Sequence, residues 1–582
     1  MGLKNWFSLS KLFFQKNKKY FADKIKSYIF AFYKSKMKRY ILFLVCVCFS
    51  TAIRAQDPRI PPESPRLIVG IVIEQMRSDY ILRFWDKFGD GGFKRLIHEG
   101  TYCRNASFNH FFTQTAVGYA TIYTGSMPAA HGIVANEWYD RIGSKVTHAV
   151  ADESVKTVGG SFDAGKYSPQ NLVATTINDE IKLSNFRQSK VFSVSLEPMS
   201  AVLSGGHTAN GAFWFDEENG KWITSSYYMK ELPEWLLKEN DKKLADVYTG
   251  KTWDTSFPVS EYTNCFSDEN PYETGFEGRT VFPYSLPEIG KTMSISKRNK
   301  LLKQTPFGNT FTKDMAIATI VNENLGKNAF TDMITVSFTS TENIGNNFGP
   351  MSIEVMDAFI KLDADLEHFL QFIDDFSGKQ NTLIFLTSNH GTAQSPGYLA
   401  DSKVPVGSFN YNSAISLLRS YLNATYGSGD WIKGYYGQQL YLNTDFIENA
   451  KFRIDDFQNV VAQFLIQFTG VSNTLTATAL QNNLYTEGYR RKMQNNFFPR
   501  RSGDVFVNLL PGWVERNQWS TSHNSAYLYD TQVPLIWYGW KVKRETIVRP
   551  VDMTDVAPTI ASMMNIMTPN ATTGKVIDEL AK

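Results

Sequence analysis

Cysteine and histidine are scarce in this 582-residue chain, with four Cys and eight His. Cys46 and Cys48 fall in one apolar run, which leaves Cys103 and Cys265 as the pair that could form a disulfide after export. So few thiols exclude a disulfide-built scaffold and a cysteine metal centre. No apolar run reaches the roughly 18–20 residues of a membrane span. Repeats and low-complexity tracts are lacking too. With 43% hydrophobic and 20% charged residues, intrinsic disorder and collagen-like classes drop out. Positive charge is scarce beyond the N-terminus. Residues 1–55 hold 12 Lys/Arg and one Asp, so the rest carries 48 basic against 56 acidic residues, a balance of −8 despite the overall +3. A nucleic-acid surface thereby loses its main support.

What is present begins with a leader. From Met37, "MKRYILFLVCVCFSTAIRAQ" has a basic start, an apolar run and small residues before Gln56. Residues 37–55 are expected to be a secretory signal cleaved after Ala55, with 1–36 a misassigned upstream extension. The mature chain, 56–582, is expected in the periplasm without a membrane span. Its apolar run is too short to serve as a stable anchor.

The length allows two to four domains or one large α/β domain. Five continuous apolar runs favour the latter: "LIVGIVIE" (67–74), "VFSVSL" (191–196), "DMITVSFTS" (332–340), "NTLIFLTS" (381–388) and "VPLIWYG" (533–539). Each reads as a fully buried strand of a parallel sheet. Helical periodicity over Ile353–Ile373 and within 552–566 supplies covering layers. The expectation is a three-layer α/β/α sandwich with a mostly parallel central sheet. Aromatic, turn-rich stretches at about 208–310 and 396–520 are read as cap insertions. Ligands of such sheets bind beyond the strands' carboxyl ends, where Glu74-Gln75, Ser340-Thr341-Glu342 and Ser388-Asn389-His390 stand.

Several collinear blocks, from about Leu67 to Met567, carry a resemblance. They include "VIEQMRSDY", "TQTAVGYATIYTGSMPAAHGIVANEWYD", "STENIGNNFGP", "SNHGTAQS" and "YDTQVPLIWYGW". The chain resembles the single-chain, phosphate-irrepressible alkaline phosphatases of the alkaline phosphatase superfamily, related to type I phosphodiesterases and nucleotide pyrophosphatases. That resemblance implies a Thr115 nucleophile forming a phosphoryl-enzyme, and Asn136 contacting a phosphoryl oxygen. A hydroxyl opening a helix sits among free N–H groups that favour an anion, although a helix-capping threonine looks the same in sequence.

The resemblance also implies two zinc ions held by three Asp and three His. Here those positions hold Glu74, Glu342, Asn346, Asn389, His390 and His523. Two carboxylates are lengthened by about 1.5 Å, whereas metal–ligand distances vary by only about 0.2 Å. Two further ligands are neutral amides, poor zinc donors. One zinc position is left with Glu342 and His523, the other with Glu74, His390 and Thr115. The Lys and Arg that clamp a phosphate monoester are replaced by Glu197 and Met199, and an anion there repels a dianion. Of the remaining histidines, His98, His110, His131, His148 and His368 are expected in packing or at the surface, and His207 in a structural role.

These departures imply an exported protein of alkaline-phosphatase fold, its activity lost or strongly reduced, retaining a pocket for a phosphate ester, another small anion or a partner. The alternative is a phosphomonoester or phosphodiester hydrolase using Thr115 with an altered metal site. In that case one divalent cation is held by Glu74, Glu342, His390 and His523.

Overall fold

In the computed structural model, residues 63–515 and 521–581 are described, together with Lys24. The first two ranges lie in the compact unit Pro61–Lys582 and Lys24 in Met1–Ile60. Apart from Lys24, the signal and upstream extension fall outside the described residues. Among the described residues no helix is long and apolar enough to cross a membrane.

In chain order the strands of the large sheet begin with β1 (Leu67–Ile73), β2 (Thr101–Ser107), β3 (Thr157–Val158), β4 (Val191–Ser195), β5 (Gly211–Asp216), β6 (Lys221–Ser225), β7 (Asp332–Phe338) and β8 (Thr382–Thr387). A second sheet follows, with β9 (Ile432–Tyr436), β10 (Gln439–Leu442), β11 (Val471–Thr476) and β12 (Val505–Leu509). Then β13 (Gln532–Gly539), β14 (Glu545–Ile547) and β15 (Val551–Asp552) return to the first. Its order is β14-β2-β13-β8-β1-β7-β4-β5-β6-β3, with β15 also pairing β2.

β1 shows why these runs become strands. All seven residues are buried, and a pleat sends alternate side chains to opposite faces. Leu67, Val69, Ile71 and Ile73 enter one core, Ile68 and Val72 the other. Each such burial contributes roughly 1.5–3 kcal/mol. The block β8-β1-β7-β4-β5 is parallel throughout. Residues following β1, β4, β7 and β8 therefore emerge along one edge.

The helices that bear on the site are α1 (Thr115–Thr124), α2 (Pro198–Gly205), α3 (Ile295–Lys303), α4 (Pro306–Glu323), α5 (Ser340–Phe348) and α6 (Ile353–Phe376). α6 runs one turn's length beyond the expected Ile373 and starts at a Ser352 cap whose hydroxyl accepts from Val355 N.

Two expectations need correction, and one open pairing is resolved. The 533–539 run is antiparallel to both neighbours, β8 and β2. A buried antiparallel strand flanked by apolar partners has no polar alternation to betray it. This reversal brings residues before β13, not after it, to the site edge. Second, the stretch 208–310 does not begin as a cap, since β5 and β6 extend the main sheet. The stretch 396–520 contains the second sheet, ordered β9-β10-β12-β11, with its own apolar core. As for the pairing, Cys103 and Cys265 are free. Cys103 sits in the core on one face of the sheet, whereas Cys265 packs against the core on the other.

Candidate active site

α1 is apolar all round, and all ten of its residues are buried. Such a helix can enter a core only where its neighbours allow close approach. Gly118 provides that approach, because a Cβ there would lie 2.3 Å from the Asn389 carbonyl oxygen. The helix N-terminus is thus pinned against the end of β8. Thr115 is the first helical residue, and the residue capping the helix is Gln114. The Thr115 Oγ1 lies 3.5 Å from Glu342 Oε2, at the outer limit of a hydrogen bond. Asn136 Oδ1 accepts from Ala116 N at 2.9 Å, which leaves its Nδ2 hydrogens as the group it can offer a ligand.

The sheet edge then assembles the remaining candidates. Glu342 comes from the first turn of α5, His390 follows β8, and His523 precedes β13. Their ligand atoms lie within 4.8 Å of one another. His523 Nδ1–H donates to Thr113 O at 2.6 Å, and its Nε2 meets Glu342 Oε1 at 3.1 Å. His390 Nδ1–H donates to Gly391 O at 2.8 Å, which leaves Nε2 as a lone pair. That Nε2 is 3.7 Å from Glu342 Oε2, buried and without a hydrogen-bond partner. The two imidazoles stack with centroids 3.7 Å apart and planes at 15°. Glu342, expected beside His523, thus also lies next to His390. The longer Glu342 reaches both histidines.

Protonation follows from the surroundings. Burial, aided by the neighbouring His523, holds His390 down to about 3, so it is neutral. Burial works against charge on His523 as well, but the Glu342 carboxylate outweighs it and raises the ring above its ordinary value. Burial would also raise Glu342, yet the hydrogen bond and charge of His523 keep it well below the usual carboxylate range. Glu74 goes the other way. Burial first, then Glu342, pushes it well above that range, and Ser200 Oγ–H donates to its Oε1 at 2.5 Å. The two carboxylates are thus pushed in opposite directions, Glu74 toward its protonated form and Glu342 toward its ionised form.

Asn389 and Asn346 are both tied to Gln75. Asn389 Oδ1 accepts from Gln75 N at 3.3 Å, and Gln75 Nε2 donates to Asn346 Oδ1 at 3.1 Å. Gln75, in a left-handed conformation at φ 59°, bridges the two amides. Nor does Glu197 stand as a free anion. It is ion-paired with Lys303 at the end of α3, which also holds Glu217 at 2.6 Å. One ammonium between two carboxylates leaves the trio net negative, so the expected repulsion of a dianion is softened but keeps its sign. Met199 packs, partly buried, against the core of α1.

Sequence reasoning passed over residues that organise this edge. Gln114 Oε1 accepts from Asn136 N at 2.6 Å while its Nε2 donates to Asn524 Oδ1 at 3.0 Å. Thr113 Oγ1 accepts from the N–H groups of Asn524 and Ser525, both at 3.1 Å. Their nearness to Thr115 was the available signal. Asn524, where the resembled family has glycine, sits at φ 106°, a conformation glycine adopts freely. His110 and His131 are fully buried, and His98, His148 and His368 are exposed. His207 is tied to Asp179 Oδ2 at 3.1 Å and to Leu172 O at 2.9 Å.

The donor set decides how a metal would fit. Glu342, His390 and His523 suit one divalent cation, since both imidazoles are anchored through Nδ1 on carbonyls, as metal-bound histidines are. The partnerless His390 Nε2 facing a carboxylate is a donor atom that a cation would satisfy. The remainder, one lengthened carboxylate and two hydrogen-bonded neutral amides, is a poor donor set for a second zinc.

The model of the type I phosphodiesterase / nucleotide pyrophosphatase family matches residues 68–533. Alkaline phosphatase PhoV of Synechococcus elongatus is 37% identical over 547 residues, 92% of this chain and 98% of the relative. Alkaline phosphatase PafA of Elizabethkingia meningoseptica is 35% identical, covering 93% of this chain and 99% of that one. The crystal structure of wild-type PafA aligns with a TM-score of 0.86, over 90% of this chain and all of that chain.

Proposed function

Because this chain belongs to the type I phosphodiesterase / nucleotide pyrophosphatase family, we propose that it is an exported phosphatase-like protein that binds a phosphate ester or similar small anion and turns it over poorly. One observation carries this reading. The Thr115 hydroxyl meets the Glu342 carboxylate, which belongs to a cluster able to hold one cation. A two-ion site clamps both the attacking and the leaving oxygen. With one ion, half of that stabilisation is missing. Each 1.36 kcal/mol lost slows the reaction tenfold, so turnover falls by about 10²-fold or more. The leader at 37–55 supports a periplasmic location.

A second reading is a slow hydrolase that uses this one cation, zinc by family resemblance. Its support is the convergence of both histidine Nε2 atoms on Glu342. A bound ion would supply Lewis acidity that lowers the pKa of a nearby hydroxyl. Thr115 would then be held for attack by the α1 N-terminus, and Asn136 Nδ2 would orient a phosphoryl oxygen.

The two readings separate in one experiment. Zinc-loaded protein is assayed on aryl phosphate mono- and diesters beside PafA, with inorganic phosphate binding measured by calorimetry. The expected result is phosphate binding with turnover at least about 10²-fold below PafA. Residual turnover abolished by Thr115→Ala supports the second reading. Turnover equal to PafA overturns the first.

A further inference from the structure

Away from the Thr115 edge, the segment 264–284 wraps the start of α6. Phe266 N–H donates to Met351 O and Thr274 N–H to Asn347 O, both at 2.8 Å, which fastens it to the end of α5 and the turn into α6. The segment carries Asp268 and Glu273, and α6 carries Glu354 in its first turn. Glu354 is wholly buried. Its Oε1 accepts from the Tyr284 hydroxyl at 2.6 Å, while its Oε2 is buried without a partner. Glu273 repeats the pattern, with Oε1 accepting from Asn270 Nδ2 at 2.9 Å and Oε2 buried without a partner. Asp268 Oδ1 accepts from Phe282 N, two residues before Tyr284. The three carboxylates act on one another, Glu354 and Asp268 both repelling a charge on Glu273, and Asp268 one on Glu354.

Asp357, one turn further along α6, is equally buried yet fully met. It accepts from Trp253 Nε1, Ser256 N and the Tyr262 hydroxyl, and pairs with Lys361 Nζ at 2.6 Å. Among the described residues no cationic side chain pairs with Asp268, Glu273 or Glu354, and Arg83 is committed to Asp79 and to the carbonyls of Asn264 and Pro350. Buried anions left in this way are costly. Burial, then Glu354, accordingly pushes Glu273 up to about 10, and burial pushes Glu354 up to about 8 against the hydrogen bond from Tyr284. We propose that Glu354, Glu273 and Asp268 form a calcium site, sharing no residue with the Glu342 cluster, that clasps the segment 264–284 to α6. Oxygen-only, anionic donors suit a hard cation and not zinc. The Glu342 group is the one set of three such side chains among the described residues whose donor atoms lie within 4.8 Å, so these carboxylates are spread more widely. Calcium fits that spread, since oxygens opposite each other across it stand about 5 Å apart, against about 4 Å for magnesium. Carbonyls and water complete such a shell, and the ion displaces protons from both glutamates, so binding tightens as pH rises.

The test titrates the zinc-loaded mature chain with calcium chloride by calorimetry, after elemental analysis has counted any calcium already bound. One calcium per chain is expected, with a Kd of about 10⁻³ M or tighter, weaker binding of magnesium and a thermal midpoint raised by calcium. Glu273→Gln/Glu354→Gln keeps the shape and removes the repulsion, so it is expected to fold, retain its zinc and lose calcium affinity at least about tenfold. Wild type that binds no calcium at about 10 mM, or a folded double variant with unchanged calcium affinity, overturns the proposal. So does a midpoint that ignores calcium, which would leave the two glutamates as a protonated pair. Turnover at Thr115 enters none of these readouts, so failure of the proposed function leaves them unaffected.

Discussion

Gly118→Ala tests the packing that sets the site. The added Cβ would lie 2.3 Å from Asn389 O and 3.0 Å from its C and Cα, all backbone atoms that cannot rotate away. Ordinary carbon contacts begin near 3.5 Å, so α1 and the end of β8 must part by about 1 Å. Overpacking of this kind costs about 1–3 kcal/mol, and the better helix propensity of alanine returns at most about 1. The larger consequence is at the cluster. His390 follows Asn389 directly, and metal–ligand distances tolerate only about 0.2 Å. Zinc affinity, read by competition with a chromophoric chelator, is expected to fall at least about tenfold, with a lower thermal midpoint. Unchanged zinc affinity and midpoint would refute the idea that this glycine sets the approach of Thr115's helix to the metal-binding edge.

Three further outcomes follow from the same geometry. Asp179 raises His207 against its burial, and His207 in turn lowers Asp179. The histidine's contribution is complete below its unfolded value near 6.5 and lost as pH rises through the folded value; the aspartate's is complete above about 4 and lost on acidification. His207→Gln is therefore expected to lower the thermal midpoint most between about pH 4 and 6.5, with a gap that narrows above. Lys303→Met leaves Glu197 and Glu217 facing each other near a buried site, and is expected to cost about 1–3 kcal/mol in denaturant unfolding. The mature chain is expected to show two titratable thiols under denaturing, non-reducing conditions, since Cys103 and Cys265 lie on opposite faces of the sheet.

Much of the sheet was legible because a parallel core strand is buried on both faces, and β1, β4, β7 and β8 are mainly apolar runs broken only by small or hydroxyl residues and the leading Asp332. Direction was not legible for β13, since burial on both faces erases the pattern that separates antiparallel from parallel. The ligand positions could be read from the motifs at strand ends. How they regroup could not, because it depends on one methylene of reach in Glu342. Gln75, Gln114 and Lys303 act across separations of roughly a hundred residues or more, to Asn346, Asn524 and Glu197, and nothing local in the chain marks such pairs.

The central claim, that a one-ion site makes Thr115 a slow nucleophile, is tested most directly by turnover before and after the two replaced ligands are restored. Zinc-saturated wild type and Asn346→His/Asn389→Asp are compared on the same aryl phosphate. The account predicts a variant at least about 10²-fold faster, its gain lost on adding Thr115→Ala. Wild type as fast as PafA, with no gain in a variant that binds two zinc ions, would contradict it.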